Sequence, residues 1–242
     1  MEDFSRRKYK YLELRPLQAC RLSMFAQSQR FLFHSLDLRP PLEALFRNLH
    51  NDCVRRKIRR AEREGLEIEA GTSASLVDAF FTLQLHTRRR HGLPPQPKLW
   101  FGNLVKKMQG AATIRVASYR GKPVASILTL RHGSTETYKY GCSEAEDNNL
   151  GGMQLLFWRA IQDAKAAGMN RMDLGRCDLD SEGLAKFKER LGATRREIVY
   201  ARYPADFKEN IGKNRSLASK VFSNLPDSLL AFSGRILYRH FA

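Results

Sequence analysis

Four stretches of the 242-residue chain carry side chains that can bind anions or move protons. Asp173, Gly175, Arg176, Asp178, Asp180 and Glu182 crowd the C-terminal end of a short apolar strand, where mixed α/β sheets place their ligands. Asp173, Asp178 and Glu182 are the nearest candidates for a general base, and Arg176 suits an anionic acceptor. Asp180 or Ser181 equally suits the N-cap of the next helix. Phe187 and Lys188, in GLAKFKERLGA, combine packing with one phosphate contact. His86, Arg88, Arg89, Arg90 and His91 close a helix before a Pro-Pro turn. Cations there complement the helix dipole, but three consecutive arginines point in different directions, so not all can cap. Arg88 and His91 are the choice for a substrate phosphate or carboxylate.

Tyr138 and Tyr140 are expected on one face of a strand, with Lys139 on the other. They read either as core or as groups at the mouth of the sheet. In the second reading Tyr140 protonates a leaving group and Tyr138 orients a substrate. Asn149, Leu150, Gly151, Gly152, Met153 and Gln154 lead from a polar loop into a helix. The orphan amides at such a start attract anions, and the two glycines permit close backbone approach.

These groups need a scaffold, and the chain can supply one. It is 43% hydrophobic and 28% charged, enough apolar material for one large domain, or one domain and part of a second. No run of about eighteen apolar residues suggests a membrane span, and Met1–Lys10 lacks the apolar segment of a secretory signal. A cytoplasmic location, with peripheral membrane contact as an option, is the expectation. Cys20, Cys53, Cys142 and Cys177 have no CxxC spacing, so neither a disulfide framework nor a metal site is expected. The formal charge of +17 suits phosphates, nucleic acid or anionic lipid.

Alternation predicts strands over 9–14, 30–38 and 66–70, a hairpin over 112–131, and strands over 136–141, 170–175 and 196–203. Apolar periodicity predicts helices over 42–65, 75–92, 97–108, 153–167 and 181–191, then a basic helical tail over 206–242. The helix over 42–65 carries Arg55, Arg56, Lys57, Arg59, Arg60 and Arg63, either a solvated face or a landing strip for an anion. Helices, an antiparallel meander and then β-α-β-α-β predict an α/β (α+β) domain with a mixed, largely antiparallel sheet and helices on both faces.

HTRRRHGLPPQP (86–97), YKYGCSEAEDNNLGGMQLLFWRAIQDAKAAG (138–168) and MDLGRCDLDSEGLAKFKERLGA (172–193) together resemble the second half of the FemAB-like acyltransferases, a branch of the GNAT superfamily. The resemblance covers about residues 50–205. It implies a GNAT domain over 42–205, with 1–41 as the end of a first GNAT-like domain in a short or N-terminally truncated member. It also implies transfer of an acyl group from a thioester or charged tRNA to an amine or hydroxyl of a cell-envelope or polysaccharide precursor. The co-substrate expected is an acyl-CoA, its pyrophosphate at Asn149–Gln154, with no metal. The full Gln/Arg-x-x-Gly-x-Gly pattern of standard members is absent. The partners implied are an anionic or lipid-linked saccharide acceptor and, for the peptidoglycan branch, tRNA. A non-catalytic nucleic-acid-binding or peripheral membrane module on the same fold is the alternative.

Overall fold

The computed structural model describes residues 9–18, 23–204 and 215–241. One eight-stranded sheet runs through it in the order β1-β8-β2-β7-β6-β5-β4-β3. The strands are β1 (Leu12–Leu14), β2 (Ala26–Asp37), β3 (Glu67–Gly71), β4 (Ala112–Tyr119), β5 (Lys122–His132), β6 (Thr135–Ser143), β7 (Arg171–Asp178) and β8 (Thr194–Tyr203). Neighbours are antiparallel except β6 and β7, which run parallel. This is the mixed, largely antiparallel sheet expected.

Alternation along the strands divides the apolar residues between two faces. On the first, Ala117, Ala125, Ile127, Met172 and Leu174 meet Leu156, Ala160 and Ile161 of α5 (Gly152–Ala166). Leu45 of α1 (Leu42–Asn48) and Ile58 and Ala61 of α2 (Arg56–Arg63) join them, and α6 (Glu182–Arg190) lies over β2, β7 and β8. On the second face, Ile114, Val116, Leu128 and Cys142 meet Phe80 and Leu83 of α3 (Ala74–Arg90) and Phe101 and Val105 of α4 (Lys98–Lys107). Each Val, Leu, Ile, Phe or Met side chain among these, fully buried, contributes about 1.5–3 kcal/mol. α7 (Arg215–Asn224) and α8 (Asp227–Phe241) pack along α3, and Pro226 separates them.

Two expectations change. The helix expected over 42–65 is interrupted: Leu49 and His50 are extended, and Asn51–Arg55 form a π-helical turn before α2. The His50 ring accepts a hydrogen bond from the Cys53 amide at 3.3 Å, and the His50 amide donates to the Arg190 carbonyl at 2.9 Å. Asn51 and Asp52 favour caps over helix interiors, which is the local reason for the break. The boundary placed at residue 41 does not divide the sheet, because β2 lies between β7 and β8 and pairs with both. Cys20 lies outside the described residues.

Candidate functional site

A parallel strand pair keeps bonding as long as its register holds. Here Thr135–Thr137 pair with Arg171–Asp173 and pairing then stops, although β6 continues to Ser143 and β7 to Asp178. A bulge on each strand marks the parting. On β6, Tyr138 faces Thr129 and Tyr140 faces Leu128, so Lys139 is the extra residue. On β7, Gly175 has φ +72°, and the register against β2 shifts between Phe33 and Ser35. Asp173 Oδ1 accepts the Gly175 amide at 2.6 Å, which fixes that turn. A residue with a Cβ is strained in this conformation, so the glycine is part of the device.

The bulge corrects the expectation for the tyrosines, because one extra residue moves everything beyond it to the other face. Tyr138 lies on the first face, its ring 4.7 Å from Phe157, and its hydroxyl covers Gly141 so closely that a Cβ there has no room. Burial pushes its phenol well above the ordinary value. Tyr140 lies on the second face, 5.5 Å from Phe101 and 5.7 Å from Trp100. Burial first, and then Tyr238, push its phenol up to about 12. Tyr140 is therefore an aromatic core residue turned away from Tyr138.

From Tyr138 a line of rings crosses the gap: Phe157 lies 5.6 Å from Phe187 of α6. The next residue, Lys188, is 3% exposed, which is rare for a lysine. Its ammonium donates to the carbonyls of Gly175 at 3.1 Å and Arg176 at 3.0 Å, at the β7 bulge. Burial lowers its pKa, opposed by Cys177 and Asp173. Burial also raises the Asp173 carboxyl, opposed by the Gly175 amide and by Arg171, Lys188 and Arg196. Asp173 and Lys188 thus both bind the backbone of the β7 bulge where the strands part, one the Gly175 amide and the other the Gly175 and Arg176 carbonyls.

The other site candidates lie elsewhere. Asp178 is exposed at the strand end, and Glu182 forms an exposed ion pair with Lys186 at 2.9 Å, which lowers its pKa. Arg176 stacks over Phe31 at 3.9 Å and Tyr200 at 5.0 Å. The three arginines do point apart. Arg88 Nε donates to the Pro94 carbonyl at 3.2 Å, Arg89 pairs with Asp227 of α8, and Arg90 donates to the Ser143 carbonyl at 3.1 Å. His91 is the exposed C-cap of α3. Thr87 and His86 bind Ser143 and Glu144, so this segment clamps the end of β6.

In the loop before α5, Leu150, Gly151 and Gly152 are buried, while Met153 and Gln154 are half-buried. A Cβ at Gly151 has no room beside the Lys57 carbonyl, and one at Gly152 would lie 3.2 Å from Ala125. The glycines admit the close approach of α2 and β5 to the loop. Its exposed residue, Asn149, borders a groove of about 650 Å³ lined by Arg56, Lys57, Arg59, Arg60 and Arg63 and by Asp52 and Glu64, which pair with Arg56 at 3.4 Å and Arg60 at 3.6 Å. The charge of this helix was legible in the sequence. Its position against the loop was not.

His34 carried no local signal either. It is fully buried on β2, with Nδ1 4.0 Å from Cys177 Sγ and Nε2 3.9 Å from Glu189 Oε1. Burial and then Lys188 and Arg195 lower its pKa, against Glu189. A histidine whose folded pKa lies below the unfolded value of about 6.5 holds fewer protons when folded. Its contribution to stability is therefore lost as pH falls from about 6.5 towards the folded value. Melting temperatures measured across this window should fall more steeply for the wild type than for His34→Asn. Equal slopes would show that His34 is not the group responsible.

The Acetyltransferase (GNAT) domain model matches residues 50–189, more than half of the chain. A curated relative from Weissella viridescens, UDP-N-acetylmuramoylpentapeptide-lysine N(6)-alanyltransferase, is 31% identical over 101 residues, which are 40% of this chain and 29% of that protein. The match therefore spans under a third of that relative's length. The crystal structure of FemX superimposes with a TM-score of 0.64 at 15% identity, covering 84% of this chain and 67% of FemX. The C-terminal domain of a putative lysylphosphatidylglycerol synthetase from Agrobacterium fabrum gives 0.54 at 15% identity, covering 81% and 65% of the two chains. At these identities the structural matches establish the fold. The family match over 50–189 makes this chain a member of the Acetyltransferase (GNAT) domain family.

Proposed function

We propose that this protein is an acyltransferase that moves an acyl or aminoacyl group from a phosphate-bearing donor to an amine or hydroxyl of a cell-envelope or polysaccharide precursor. The observation that carries this reading is the β7 bulge where β6 and β7 part, with Asp173 on the Gly175 amide and buried Lys188 on the Gly175 and Arg176 carbonyls. The acceptor's lone pair attacks the donor carbonyl carbon and generates a tetrahedral oxyanion. An ammonium has three donors and no acceptor, so Lys188 retains one N–H beyond its two carbonyl bonds. That N–H stabilises the oxyanion. Asp173 takes the acceptor's proton, and collapse breaks the donor's C–S or C–O bond and expels a thiolate or ribose alkoxide, to which Asp173 passes that proton. Tyr138 borders the same gap on the β6 side. The groove along α2 holds the donor's phosphates, which a thioester of coenzyme A and a charged tRNA both carry.

The name of the Weissella viridescens relative supplies the first acceptor to test, a UDP-N-acetylmuramoyl pentapeptide. The purified protein should be incubated with this acceptor and, separately, acetyl-CoA, longer acyl-CoAs and alanyl-tRNA, with the product read by mass spectrometry. A mass increase with any donor supports transfer and identifies the branch. Tight binding of tRNA with no product from any donor would replace the enzyme with a nucleic-acid-binding module.

Asp173→Asn gives a sharper check. A carboxyl raised by burial stabilises the fold only while protonated, and this contribution is lost as pH rises through its folded value. The amide keeps an oxygen for the Gly175 N–H and removes the buried charge. The variant should melt no lower than the wild type at neutral pH yet transfer about 10²–10⁴-fold more slowly. Wild-type rates would exclude Asp173 as the base.

A further inference from the structure

α8 is apolar on two sides. Its inner side is anchored: Leu230 is fully buried, Gly234 lies under Pro95 with no room for a Cβ, and the Tyr238 ring is 6.2 Å from Trp100. Asp227 fixes the start of the helix by pairing with Arg89, and lies 3.6 Å from His86. The rotation of α8 is thereby set. Its outer side then presents Leu229, Phe232 and Ile236, at positions i, i+3 and i+7, with exposures of 53%, 56% and 45%. Such spacing makes one stripe along a helix. Val221 of α7 is 58% exposed as well.

We infer that this outer stripe of α8 docks on an anionic membrane surface. A helix apolar on both sides needs cover on both, and within the described residues the outer stripe has none. The charge around it selects the occupant. Residues 215–241 carry Arg215, Lys220, Arg235 and Arg239 against Asp227 alone, on a chain of net charge +17. Arg235 is exposed beside the stripe and Lys220 is exposed on α7, whereas Asp227 is neutralised by Arg89. Apolar side chains flanked by cations match the boundary between acyl chains and anionic headgroups. Self-association is the weaker fit: four half-exposed side chains fall well short of the ~800 Å² per partner of a stable dimer, and like charges would face each other. No helix among the described residues is long and apolar enough to cross a membrane, so the contact is peripheral. The clamp that holds α8 also holds Glu144 at the end of β6, so docking places that end of β6 near the lipid surface.

The inference stands without the proposed chemistry, because vesicle binding and acyl transfer are read separately. Co-sedimentation should use the full chain with phosphatidylcholine vesicles and with vesicles that also contain phosphatidylglycerol. The wild type should pellet with the second and remain in the supernatant of the first. Combining Leu229→Ser, Phe232→Ser and Ile236→Ser should weaken that binding at least tenfold, with the melting temperature and any transfer to a soluble acceptor retained. Should the triple variant fail to fold, Phe232→Glu alone carries the test, because its side chain points outward. Absence of the wild type from both pellets would overturn the inference. Wild-type binding by a folded variant would also overturn it, since charge alone would then suffice. A dimer in sedimentation velocity that the triple variant dissociates would assign the stripe to a second copy instead.

Discussion

Lys188→Met is expected to lower the rate of acyl transfer by about 10²–10³-fold in protein that still folds. Methionine keeps the length and the apolar stem of lysine but has no N–H to donate. The change removes the bonds to the Gly175 and Arg176 carbonyls along with the N–H assigned to the oxyanion. Two carbonyls left at the β7 bulge should cost about 1–3 kcal/mol of stability, so rates must be compared per folded molecule. The kinetic pattern separates the roles. A group that acts only in the transition state lowers kcat and kcat/KM together, whereas one that only props the bulge leaves kcat within a few-fold once folding is corrected. That second outcome would remove Lys188 from the chemistry and leave it as a strand support. Lys188→Arg is not a conservative rescue, because a planar fork does not reproduce three converging ammonium bonds in so closed a space.

Arg115→Ala should produce the largest loss of stability, about 3–5 kcal/mol. Arg115 lies on β4, is 1% exposed, and faces the first layer of helices. Its guanidinium donates to Asp163 of α5 at 3.0 Å and to Thr129 of β5 at 2.9 Å. Glu136 of β6 lies 3.8 Å away, fully buried, with Oε2 held by Arg131 at 2.8 Å and Oε1 without a hydrogen-bond partner. Alanine would leave Glu136 with half its neutralising charge and open a cavity beneath α5. For a protein of this size, the loss corresponds to a melting temperature lower by about 10 °C. Replacing both partners, Arg115→Met with Glu136→Leu, should recover most of it, because a matched apolar pair carries no desolvation penalty. Loss in the double variant equal to that in Arg115→Ala would mean that packing volume, not charge, sets the cost. Glu136 adjoins Thr137, the last β6 residue paired to β7, so this network fixes the point at which the strands part.

Much of this arrangement is written locally. The hairpin of β4 and β5, the helix from Gly152 and the polar stretch after Met172 follow from alternation, from periodicity and from glycine placement. Those signals act within about a turn or a strand, so they survive in any context that buries the right face. The pairing of Asp173 with the strand end is legible for the same reason. Tyr140 and Glu182 are the counterexamples. The side of the sheet on which Tyr140 lies depends on one extra residue, Lys139, and no residue type announces that bulge. Glu182 matched the base pattern by composition, yet it faces solvent beside Lys186.

Sequence by itself determined the fold class, the family and the basic character of α2, because each rests on residue types repeated at short spacing. Only the tertiary structure decided that β2 enters the sheet between β7 and β8, that α2 fills the approach to Gly151, and that His34 lies between Cys177 and Glu189. These are contacts between residues far apart in the chain, and which of them forms is set by burying the whole apolar surface at once. A local pattern carries no record of that competition.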